Sequence, residues 1–188
     1  MLLKVLYTLL FCMCAVQSVS ASTTPGDTTT HTGSYTNQSQ LSWFTVKDNH
    51  FMPKDVLLGN KEYQFFLHFT IDSCGTANHI MLYIQYCADE PLHYYEAIFI
   101  INGNNYSILT NPSHIKPLQG KKRYYLEISD TEIREQDKEL LDALVHNHGV
   151  TLKLKGADGF THVIPLDEKF CKGFLRSIMA YRNLGGSL

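Results

Sequence analysis

The stretch YQFFLHFTI, Tyr63 to Ile71, sets Tyr63, Phe65, Leu67, Phe69 and Ile71 against Gln64, Phe66, His68 and Thr70. Side chains of an extended chain point alternately to opposite faces, so a period of two predicts a strand with one face in a core. Related patterns recur at Trp43–Val46, His79–Tyr86 and Arg123–Ile128. YYEAIFIIN, Tyr94 to Asn102, is almost continuously apolar and predicts a central strand covered on both faces. A Gly-Asn-Asn turn then leads into YSIL, Tyr106 to Leu109, as a hairpin.

Later in the chain the period lengthens to three and four. SDTE, Ser129 to Glu132, has the form of a capping box, in which the Ser hydroxyl and the Glu carboxylate satisfy each other's backbone amides. Ile133, Leu140, Leu141, Leu144 and Val145 form a helical apolar stripe, and Gly149 is expected to end it as a left-handed cap. VTLKL and FTHVIP flank KGADG as a second hairpin. Asp167–Asn183 predicts a closing helix that buries Phe170, Phe174, Ile178 and Tyr181. The fold expected is mainly β: a single antiparallel sandwich-like domain over residues 41–188 with two late helices, α+β in class.

The first twenty-one residues read as a signal peptide, with Lys4 before the apolar run Val5–Val16 and small residues at Val19–Ala21. That run is too short to span a bilayer as a helix, so no transmembrane segment is expected after cleavage. Residues 22–40 are rich in Thr and Ser and poor in apolar side chains, as a disordered leader is. Removing Lys4 takes the net charge from -2 to -3. Lys121, Lys122 and Arg123 are the only basic cluster and read as a solvated turn, so the composition argues against a nucleic-acid partner.

His146, His148, His162 and Cys171 crowd one stretch, yet their geometry argues against a metal. Helical residues two apart point about 200° from each other, so His146 and His148 cannot chelate together. A hairpin turn of two or four residues aligns Val163 with Leu152 or Leu154 and puts His162 on the other face, beside Lys153 and Lys155. Neither a phosphate loop, a His-Glu-x-x-His helix nor a Gly-x-Ser-x-Gly elbow is present. No catalytic, metal or cofactor-binding residue is therefore assigned and no cofactor is expected, although His79, His93 or His114 could meet a cysteine in space.

Export leaves Cys74, Cys87 and Cys171 as disulfide candidates. If Tyr63–Ile71 and His79–Tyr86 form a hairpin, Cys74 sits at its tip and Cys87 roughly 26 Å away at the far end. A bridge tolerates under about 7 Å between Cα atoms, so a pair involving Cys171 is the expectation. Candidate partner contacts fall in CADEPLHYYE, which joins acidic and aromatic character in Asp89, Glu90, His93, Tyr94 and Tyr95.

From LLDAL at Leu140–Leu144 through Gly149, VTLKL, ADG and VIPL to KGF at Lys172–Phe174, the order of features resembles the C-terminal part of the invasion-associated locus B family. The resemblance implies an exported bacterial β-sandwich protein connected with host-cell invasion and stress survival, and it assigns no functional residue. The expectation is a non-catalytic exported binding protein of the bacterial periplasm or envelope, engaging a protein or surface partner. One alternative is an inhibitor or immunity protein that blocks a toxin or hydrolase with a plugging loop at Cys87–Glu96. The other is a secreted enzyme whose site is assembled from distant residues.

Overall fold

The computed structural model describes residues 41–54, 63–111, 114–118, 124–146 and 149–188. The expected signal peptide and leader, the Lys121–Arg123 cluster and His148 lie outside the described residues.

Turns with left-handed backbone decide where the chain reverses. Asp48 and Asn49, with φ of 50° and 63°, close a hairpin between β1 (Phe44–Lys47) and β2 (His50–Pro53). Asn102 and Gly103 repeat that geometry between β5 (Tyr94–Ile101) and β6 (Asn104–Leu109). The strand read at Tyr63–Ile71 is β3 (Gln64–Ile71), and it pairs with the long β4 (Ala77–Ala88). With β7 (His114–Pro117) and β8 (Tyr125–Glu132) these build a six-stranded antiparallel sheet in the order β1-β2-β3-β4-β8-β7. A four-stranded sheet, β10-β9-β5-β6, completes a sandwich-like arrangement; β9 is Val150–Gly156 and β10 is Thr161–Leu166.

Helix α1 (Lys138–His146) follows a short 3-10 turn at Glu135–Asp137, and α2 (Glu168–Asn183) closes the chain. The Asp167 carboxylate caps α2 by accepting from the Phe170 amide at 3.0 Å. The buried stripe of α2 packs on the larger sheet, with Phe170 against Phe65 and Tyr181 against Phe69. Phe174 reaches the smaller sheet, its ring 6.1 Å from that of Phe99. The core therefore comprises the inward residues of β3, β4, β5 and β9 with the buried stripe of α2. No described helix is long and apolar enough to cross a membrane.

Several expectations are corrected. Ser129–Glu132 continues β8 and caps no helix: Ser129 and Thr131 turn inward, and Ser129 Oγ lies 3.0 Å from the Tyr94 hydroxyl oxygen. The capping carboxylate is Asp137, which accepts from the Arg134 amide at 3.0 Å. Gly149 has no left-handed φ. β5 is buried on one face only, because Glu96, Ile98 and Ile100 are half-buried on the face turned from the core. The β9–β10 connection holds an odd number of residues, since Lys155 pairs with Thr161. That flips β10: Val163 pairs with Lys153 and is exposed, while His162 pairs with Leu154 and faces the Tyr86 ring at 5.0 Å.

The cysteines are corrected too. Ile71 pairs with Ala77, which puts exposed Cys74 at the β3–β4 tip, and Cys87 pairs with Leu126 at the other end of β4. This separation agrees with the hairpin argument. The expected bridge to Cys171 does not form: among the described residues all three are thiols, with Cys87 and Cys171 buried.

A strand-edge groove as candidate functional site

β6 pairs with β5 on one side and stands at the end of the smaller sheet. The ladder extends one residue beyond the strand, with the Thr110 amide donating to the Tyr95 carbonyl at 2.8 Å. In an antiparallel pair, successive residues direct their backbone groups alternately toward and away from the partner. Thr110, Ile108, Tyr106 and Asn104 therefore bond toward β5. Asn105, Ser107 and Leu109 turn their N–H and C=O groups to the open edge, where no described strand pairs.

Two hollows border that edge. A cleft of about 620 Å³ lies at its C-terminal end, lined among others by Leu109, His79, Glu132, Arg134 and Asp137. A second hollow of about 320 Å³ lies at the N-terminal end, between Asn104 and Tyr106 and the α1 residues Glu139, Asp142 and His146. The outward positions on α1 follow from its burial of Leu140, Leu141 and Leu144. Asp142 is held by Arg182 of α2 at 2.5 Å, which fixes α1 beside the hollow.

The cleft's polar groups have defined positions. His79 has φ 46° at a β-bulge, where the β3–β4 register shifts between His68 and Thr70. Its Nδ1 lies 2.6 Å from Glu132 Oε1. Two hydroxyls that line the cleft make bonds of their own. Thr131 Oγ accepts from the Asn111 amide at 2.9 Å, and the Ser107 hydroxyl donates to Glu96 on the outer face. Burial pushes the Cys87 and Cys171 thiols up, the reverse of what activates a cysteine nucleophile. The arrangement provides peptide groups and charges for binding.

The expected partner residues divide. Asp89, Glu90 and His93 are exposed on the β4–β5 connection, and Tyr95 is partly exposed with Lys155 Nζ 5.4 Å from its ring centre. Tyr94 is buried, its hydroxyl donating to the Ile84 carbonyl at 3.0 Å, so it is a core residue and touches no partner. The same connection is tied from below by Glu127, whose buried carboxylate accepts the amides of Leu92, His93 and Tyr94 at 2.9, 3.0 and 2.7 Å. Gly156 fits beneath it because a Cβ there would stand 2.3 Å from the Leu92 carbonyl oxygen.

A second polar chain crosses the outer face of the larger sheet. His68, 3% exposed, donates from Nε2 to Asp130, and its Nδ1 lies 3.0 Å from His50 Nδ1. A tautomer that directs its Nε2–H at Asp130 leaves His68 Nδ1 to accept from His50 Nδ1. Among the described residues no group of three or more His, Cys, Asp or Glu is placed to hold a metal ion. Sequence reasoning missed both this chain and the β6 edge. The Asn102-Gly103 turn signals β6, but only long-range pairing determines which strand ends a sheet. No family model matches the chain, and neither a curated protein nor a solved structure matches it.

Proposed function

We propose that the protein is an exported, non-catalytic binding protein of the bacterial periplasm or envelope that captures an extended segment of a protein partner along β6. The observation that carries this reading is the row of outward peptide groups at Asn105, Ser107 and Leu109, bordered at both ends by a hollow. A strand laid on such an edge gains main-chain hydrogen bonds whatever its sequence, while flanking hollows select its side chains. Export rests on the N-terminal apolar run and its small-residue end, and the envelope setting on the resemblance to the invasion-associated locus B family.

Proline discriminates here. At Leu109 it removes an outward donor and leaves the bonds to β5 in place, a change that edge strands tolerate. Leu109→Pro is expected to fold and to lose a partner recovered from envelope extracts, while Leu109→Ala retains it. On binding, hydrogen exchange should slow at the Asn105, Ser107 and Leu109 amides. Capture that persists in a folded Leu109→Pro protein sinks the strand-addition reading.

The inhibitor reading keeps support from one observation. Glu127 holds the backbone of a loop that displays Asp89, Glu90 and His93, and a preformed loop loses little entropy on insertion into a cleft.

A further inference from the structure

We infer that the segment captured at β6 is basic, carrying Lys or Arg at alternate positions; this rests on the strand-addition reading above. A strand paired with β6 sends successive side chains to opposite faces. One set passes over Asn105, Ser107 and Leu109 on the outer face, and the other turns toward the two hollows. Those hollows are lined by four carboxylates, Glu132 and Asp137 at one end and Glu139 and Asp142 at the other. Arg134 is the one Lys or Arg among their described lining residues, and Arg182 of α2 pairs with Asp142 from beyond them, which leaves an excess of two negative charges along the edge.

The placement of these acids favours charge readout by long side chains. Glu139 and Asp142 are three residues apart on α1 and share a face. Asp137 is held by the Arg134 amide, Glu132 by His79 and Asp142 by Arg182, so three of the four carboxylates are oriented before a ligand arrives. A Lys or Arg stem can lie along Tyr106 while its charged head reaches these oxygens. An acidic strand would meet like charge at both ends, which costs affinity and rejects wrong partners.

The test uses the full chain and three labelled peptides of about ten residues, long enough to span β6 at about 3.4 Å per residue. Each alternates Thr with Lys, Gln or Glu, and binding is followed by fluorescence anisotropy. The Lys peptide is expected to bind at least about tenfold tighter than the Gln peptide, with the Glu peptide weakest. That preference should shrink severalfold in Glu132→Gln and Glu139→Gln and with rising salt. Leu109→Pro should abolish it, which nonspecific attraction to acidic surface would not show. Equal binding of the Lys and Gln peptides, both sensitive to Leu109→Pro, overturns the basic segment and leaves strand addition standing. Binding of the Lys peptide that ignores Leu109→Pro overturns both, as does failure of all three peptides together with partner capture that ignores Leu109→Pro.

Discussion

Ser107 serves two directions: its peptide groups face the open edge, and its hydroxyl donates to Glu96 on the outer face of the smaller sheet. Lys155 adds a bond to the same carboxylate at 3.1 Å. The Ser107 hydroxyl first, and then the Lys155 ammonium, hold the Glu96 carboxyl below its ordinary value of 4.5, against an opposing push from burial. A carboxyl whose folded value is depressed stabilises the fold fully above its unfolded value, and that contribution fades as pH falls through the folded value. Glu96→Gln is therefore expected to flatten the decline of stability below pH 4.5, measured as denaturation midpoints across a pH series. An unchanged slope would show that Glu96 titrates alike in both states. No residue pattern announces this triad, since Glu96, Ser107 and Lys155 come from three strands whose neighbours are fixed only on folding.

At the scale of elements, β2 joins the larger sheet through only two paired positions, His50 with Thr70 and Phe51 with Phe69. The Phe51 ring stacks on Phe69 at 5.4 Å, and the His50–His68–Asp130 chain ties the same hairpin toward β8. Replacing His68 by Ala leaves a void at a buried site and removes both bonds, at a cost of about 2 kcal/mol. Asp130→Asn retains an acceptor and should cost less. Urea denaturation gives the totals, and hydrogen exchange should accelerate first across residues 44–53 in His68→Ala; unaltered exchange there would show that the aromatic contacts suffice. The sequence made some of these elements plain and hid others. α2 was legible because one cap and one stripe agree locally. Ser129–Glu132 misled because Ser, Thr and Glu suit a cap and the edge of a strand equally, and the choice was made by Tyr94, 35 residues away. β2 and β7, four residues each, carry too little alternation to register.

For the whole molecule, the sandwich class was readable from periodicity, while the pairing that makes β6 an edge was not. Tyr94 ties β5 directly to β4 and β8, and α2 adds a second tie, because its stripe rests on β3 while Phe174, fully buried, meets Phe99 of the smaller sheet. Removing the Phe174 ring should therefore act on both sheets together. Phe174→Ala is expected to cost about 3–5 kcal/mol, a large share of the roughly 5–15 kcal/mol that stabilises a domain. Trp43 offers a local probe: it is the sole tryptophan, it precedes β1, and Arg176 of α2 lies 5.4 Å from its ring. Far-ultraviolet circular dichroism reports strands from both sheets. If α2 joins them into one cooperative unit, the two signals share one denaturant midpoint in the native chain and move together in Phe174→Ala. A Trp43 transition that stays in place while part of the dichroism melts earlier would mean that the larger sheet and α2 stand without the smaller one.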